Sequence, residues 1–177
     1  MTEVVVRRAT ADDADALALV AGATFLESYA HMIKAADMLT HVGRHHIGSA
    51  YRRLLTDPAN AIWIAEIGFT GAPVGYALMT APDLPLPDMG AQDCELRRIY
   101  VLSRHHGGGL GRRLLSALTD HAVAAGKRRL FVGVHSGNDG AIAFYRRIGF
   151  ADAGRRVFTV GDTDYDDLVL GLPLIAG

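Results

Sequence analysis

The period of the apolar positions changes several times along the chain, and each change marks an element. Val4-Val5-Val6 is a β-branched run and predicts a strand. Thr10-Ala11-Asp12-Asp13 then sets a hydroxyl and acids where a helix N-cap and first turn want them. Leu17, Val20 with Ala21, Thr24 with Phe25, and Ser28 with Tyr29 recur at helical spacing. A second helical region covers 37–55 and ends at Asp57-Pro58, and Gly43 and Gly48 inside it predict a break or kink. Segments 61–67 and 74–79 read as two strands of a hairpin through Thr70-Gly71-Ala72-Pro73. Pro82, Pro85 and Pro87 exclude helix and central strand and predict a surface loop. Beyond it, 95–101 reads as a strand and 110–125 as a helix with Leu110, Leu114, Leu118 and Ala122 on one face and Gly126 as its stop. A strand at 130–134, a short helix at 141–148 ended by Gly149, and strands at 156–160 and 167–172 around a Gly161-Asp162-Thr163-Asp164 turn complete the order. Strand, helices, three strands, helix, strand, helix and two strands predict an α/β fold, a mixed sheet with helices on its faces. Without repeats or a linker, residues 1–177 read as a single domain.

Composition narrows the class. Half of the 177 residues are apolar and 21% are charged, enough for one sizeable core and against general disorder. Lys and Arg number 18 against 19 Asp and Glu, a formal charge of −1, so no net field draws the chain to nucleic acid or to an anionic membrane. No uncharged apolar stretch reaches the ~18 residues of a membrane span. The lone Cys94 excludes an internal disulfide and a cysteine-based zinc site, and the opening MTEVVVRR has no basic-then-apolar leader. A soluble, cytoplasmic protein is the expectation. His41 and His45 lie four apart, and His45-His46 and His105-His106 are adjacent pairs, yet no carboxylate or cysteine pattern completes a metal site, and none is expected.

The 20 glycines are the compositional oddity, and five residues, 107–111, hold four of them. His106-Gly107-Gly108-Gly109-Leu110-Gly111 follows a strand and opens a helix. Unpaired N–H groups and the positive end of the helix dipole converge there with no side chain in the way, which suits a phosphate or pyrophosphate; a turn that only caps the helix is the alternative. A P-loop requires Lys-Ser or Lys-Thr after its last glycine, whereas Gly111 precedes Arg112-Arg113. A dinucleotide fingerprint belongs near the first strand, and here its third glycine position is Arg112.

With its flanks the loop resembles the acetyl-coenzyme A signature of the GNAT N-acetyltransferase superfamily. Leu96-Arg97-Arg98-Ile99-Tyr100-Val101 matches the family's Leu-x-x-Ile-Tyr-Val strand, and the glycine run matches Gln/Arg-x-x-Gly-x-Gly/Ala with His106 in the Gln/Arg place. A second block, Val134-His135-Ser136-Gly137-Asn138 through Phe144-Tyr145 to Gly149-Phe150, resembles the family's Val-x-x-x-Asn-x-x-Ala-x-x-Phe-Tyr…Gly-Phe element. The specific part of the likeness runs from Glu95 to Phe150. It implies a mostly antiparallel twisted sheet of about seven strands with two central strands splayed.

It also implies transfer of an acetyl group from acetyl-CoA to a primary amine of a small molecule or peptide, by direct attack in a ternary complex. A non-catalytic acyl-coenzyme A binding or sensing module is the rival. Leu96 and Ile99 are three apart, so both reach one core only across a bulge, as in the family's distorted strand. Cofactor contacts are then expected from Ile99, Tyr100 and Val101, from His106, Gly107, Gly108, Gly109, Leu110, Gly111 and Arg112, and from Asn138 and Tyr145. Tyr145 stands where the family's thiolate-protonating tyrosine stands; packing of the short helix is its alternative role. Asn138 also suits a helix cap. Glu95 is the candidate base, directly or through water, or else a solvated strand end, and His135 is the rival base. Phe25, Tyr29 and Asp37 are candidates for the acceptor pocket, with Tyr29, Glu95 and His135 as substrate contacts. Cys94 reads as a buried, inert thiol and Arg112 and Arg113 as phosphate-neutralising or simply solvated. The wording Glu-Leu-x-Arg-Ile-Tyr-Val and the Thr24-Phe25 helix resemble a subgroup that includes polyamine acetyltransferases, and an edge strand offers a surface for a homodimer.

Overall fold

The β-branched run forms β1 (Val4–Arg8) in the computed structural model, which describes residues 3–174. Thr10 N–H donates to Asp13 Oδ2 at 2.7 Å, and this cap opens a single 3-10 turn that runs on into α1 (Ala14–Tyr29). α1 buries Leu17, Val20, Ala21, Thr24 and Phe25, the stripe its periodicity predicts. The second helical region is two helices, α2 (Ala35–His45) and α3 (Gly48–Thr56). Their break falls at His46 and Ile47, so Gly48 marks it and Gly43 sits inside α2. There follow β2 (Ala61–Ile67), β3 (Pro73–Thr80), β4 (Asp93–Val101), α4 (Leu110–Ala124), β5 (Arg129–His135), α5 (Asp139–Ile148), β6 (Ala151–Val160) and β7 (Thr163–Pro173). β6 and β7 run further than their apolar patterns predict, because a hairpin partner satisfies the backbone of 151–155, where no side chain is β-branched.

The seven strands form one sheet in the order β1-β2-β3-β4-β5-β7-β6, antiparallel throughout except for β4 with β5. Alternation along the strands feeds two cores. Trp63, Leu96, Leu114, Leu118, Leu130 and Tyr145 share the core under α4 and α5, while Leu17, Tyr51, Ile62, Ile64 and Tyr76 pack on the opposite face with α1 and α3.

Two irregularities open the middle of this sheet. Leu78 pairs with Arg98 and Met79 with Leu96, so Arg97 is an extra residue in β4. The bulge returns both Leu96 and Ile99 to the α4 core and leaves Arg97 and Arg98 facing the other way. Parallel pairing then joins only 93–95 of β4 to 129–131 of β5. Beyond Glu95 the two strands diverge, with β4 paired only to β3 and the rest of β5 only to β7.

Candidate active site

On the α1 face of the divergence lies a cavity of about 230 Å³. The bulge aims Arg97 and Arg98 into it, and Tyr100, two residues on, also lines it. Tyr29 reaches in from α1, its hydroxyl 2.9 Å from that of Tyr100. The Tyr100 side chain therefore faces this cavity. Phe25 lines the cavity as well, whereas Asp37 lies against the Gly161 turn.

Glu95 is not a solvated strand end. It is fully buried, takes a hydrogen bond from Asp83 N–H at 2.9 Å on Oε2, and faces two guanidinium groups on Oε1, Arg97 Nε at 3.1 Å and Arg156 Nη1 at 3.4 Å. The contact with Arg97 is an ion pair of poor hydrogen-bond geometry, since Arg97 Nε has no aligned acceptor. Asp83 belongs to the proline loop, which also packs Leu86 against Gly154 of β6, so the loop seals Glu95 from solvent. Arg156 continues past Glu95 to donate through Nε to Asp167 Oδ2 at 3.0 Å. Its guanidinium occupies the space a Cβ at Gly133 would take. Burial raises the Asp167 carboxyl above the ordinary carboxylate range, and the Arg156 hydrogen bond offsets part of that rise.

His135 lines the cavity at the end of β5, but its Nδ1 accepts the Gly137 N–H at 3.0 Å. The neutral ring then carries its proton on Nε2, so neither nitrogen offers a free lone pair. Tyr145 is buried in the α4-side core with Phe144 and Phe150 edge-on to it. Burial, and secondly the neighbouring Tyr29, push its phenol well above the usual tyrosine range, so it holds its proton at neutral pH. Asn138 caps α5, Oδ1 accepting Ala141 N–H at 3.1 Å.

Across the sheet the glycine run sits at the start of α4. Gly107 and Gly109 have φ of 78° and 77°, and a Cβ at either position meets nothing within 4 Å. Among the described residues the N–H groups from Gly107 to Arg112 have no acceptor; the first N–H bonded back is that of Arg113, to Gly109 O. His106 folds back, its Nε2 donating to Val101 O at 2.7 Å. Arg113 is tied to Val4 O at 2.9 Å, and Arg112 is exposed at the helix start. Cys94 is a buried thiol pushed up to about 11 by desolvation. Among the described residues no three His, Cys, Asp or Glu side chains are grouped to hold a metal, and no helix is long and apolar enough to cross a membrane.

Residues 30–150 match the acetyltransferase (GNAT) family. Rv2669 of Mycobacterium tuberculosis, an uncharacterized N-acetyltransferase, is 31% identical over 163 residues, 92% of this chain and 99% of that one. The chain belongs to the GNAT acetyltransferase family. Its fold matches PaiA N-acetyltransferase of Thermoplasma acidophilum, solved with coenzyme A, at TM-score 0.78 and 16% identity over 97% of this chain and 99% of that one. YncA of Salmonella typhimurium, solved with its cofactor acetyl-CoA, matches at TM-score 0.68 and 23% identity over 99% and 96%.

This acetyltransferase uses acetyl-CoA, the cosubstrate of its family, and the residues present fit it. Six consecutive unpaired N–H groups at the positive end of α4 suit the pyrophosphate, and the unpaired edge of β4 beyond Glu95 offers backbone to the pantetheine arm. One acceptor there is taken, because His106 occupies Val101 O. Membership settles enzyme against sensing module. Sequence reasoning missed Arg156 and Asp167, which stand on strands with no local signal. The adjacent pair Arg97-Arg98, between Leu96 and Ile99, was a visible signal that the strand changes face.

Proposed function

We propose that the protein is a cytoplasmic enzyme, one domain over 1–177, that acetylates a primary amine of a small molecule or peptide by direct attack in a ternary complex. The observation that carries this reading is the divergence of β4 from β5, which lies between the α4 loop and the cavity lined by Asp167 and Tyr29. Bound acetyl-CoA supplies an acyl group activated as a thioester. Asp167 has one oxygen held by Arg156, and the other is left to attract an ammonium and to take the amine proton as the C–N bond forms. Tyr145 gives its phenol proton to the sulfur as the C–S bond breaks. Glu95, with both oxygens engaged, acts as a positioning residue that fixes Arg97 and Arg156. Exposed Val157 on edge strand β6 supports a homodimer along that edge, which light scattering would reveal.

Thiol release measured against pH in wild type, Tyr145→Phe and Asp167→Asn tests these roles. Tyr145→Phe should lower kcat about 100-fold with acetyl-CoA affinity unchanged. The wild-type kcat/KM should rise with pH through a group above the usual carboxylate range, because the base must lose its proton, and Asp167→Asn should abolish that limb. Equal turnover in Tyr145→Phe removes its role.

A further inference from the structure

Arg98 has no carboxylate partner among the described residues, unlike the two other arginines of the cavity, each of which has at least one. Its Nη1 donates to the Tyr51 hydroxyl at 3.2 Å, and the guanidinium lies 5.8 Å from the centre of that ring. A guanidinium only donates, so the Tyr51 oxygen accepts from Arg98, and we assign the Tyr51 hydrogen to His46 Nδ1, 3.2 Å away. His46 then carries its own proton on Nε2. That nitrogen is buried and has no hydrogen-bond partner, and it belongs to a cavity-lining residue 6% exposed. Desolvation, and secondly the charge of Arg98, hold the imidazole down to about 3, so it stays a neutral donor. One wall thus presents an unpaired cation and an unpaired N–H, while Asp167 lies on β7 beside His135.

We propose that the acceptor bears a carboxylate beside its amine, the carboxylate taken by Arg98 and His46 and the amine directed to Asp167. This rests on the acetyl-transfer reading and names its substrate class, amino acids and their close analogues. Phe25, Ile33, Phe158 and Val160 add apolar lining for the rest of the acceptor. A polyamine instead faces Arg97, Arg98 and Arg156 with like charge.

The test pairs each amino acid with its decarboxylated amine, phenylalanine with phenethylamine and lysine with cadaverine, and adds γ-aminobutyrate against butylamine to vary the spacing. Thiol release from acetyl-CoA should favour the acid by at least about tenfold in kcat/KM, chiefly through KM. Arg98→Met and His46→Ala should each shrink that ratio. Wild-type rates that are equal within pairs, or higher for the amines, overturn the carboxylate site and leave acetyl transfer standing. No thiol release from any member overturns the amino-acid class, and silence from a peptide panel as well overturns acetyl transfer. The comparison within pairs is made on the wild-type enzyme, so it stands even where a variant fails to fold.

Discussion

Arg7 holds two carboxylates at once. Its Nη atoms reach Asp13 at 2.7 and 2.8 Å while Nε and Nη2 reach Glu66, both at 2.9 Å, tying β1 to the entry of α1 and to β2. The bond from Arg7 holds Asp13 down to about 2. A carboxyl depressed in the folded state contributes stability that is present above its unfolded pKa, near ~3.9, and is lost as pH falls towards 2. Arg7 is itself 38% exposed, so solvent screening leaves about 1 kcal/mol. Asp13→Asn should cost that amount in urea denaturation at pH 7, and the gap from wild type should close between about pH 4 and pH 2. Residue by residue, the motifs placed Tyr145 and Glu95, because chemistry at fixed spacing is local information. They did not supply Glu95's partners, which come from 97 and 156, nor the Gly137 N–H that occupies His135.

At the scale of elements, the loop into α4 shows what a short sequence can state outright. Positive φ at Gly107 and Gly109, but not at Gly108, divides three adjacent glycines by conformational need. Gly109→Ala should lower stability by about 1 kcal/mol and weaken acetyl-CoA binding, whereas Gly108→Ala should cost distinctly less stability. Thermal unfolding and calorimetric titration of the two variants check this. Helices were legible because each buries one stripe, as α4 does with Leu110, Leu114, Leu118 and Ala122. The ends of β6 and β7 were not, because their extension rests on each other's hydrogen bonds rather than on apolar alternation.

For the molecule as a whole, the decisive feature is that β4 and β5 pair over three residues and then part. The α4 loop lies on one side of the sheet and the cavity lined by Tyr29 and Asp167 on the other, and in the proposed reaction donor and acceptor meet through that gap. Acetyl-CoA at 100 times its Kd should add about 2.7 kcal/mol, a rise of roughly 5–10 °C in Tm for a chain of this size. ATP and NAD should leave Tm unchanged in the same scan, and a shift with NAD alone would count against the assignment of the loop.

The sequence by itself determined the element order, the glycine run ahead of a helix and the bulge between Leu96 and Ile99, since each follows from spacing within one segment, and resemblance to the family singled out Tyr145. Only the tertiary structure decided the cavity proposed to take the acceptor. Arg98, Tyr51 and His46 lie on β4, on α3 and at the end of α2, and Arg156 and Asp167 lie on the last hairpin. Nothing in the spacing of those residues says that they touch. The charges of the whole chain cancel almost fully to −1, yet the cavity gathers three guanidinium groups, two of them paired with Glu95 or Asp167 and that of Arg98 with no carboxylate. A charge sum carries no position, and ion pairs depend on distance and burial that folding alone assigns.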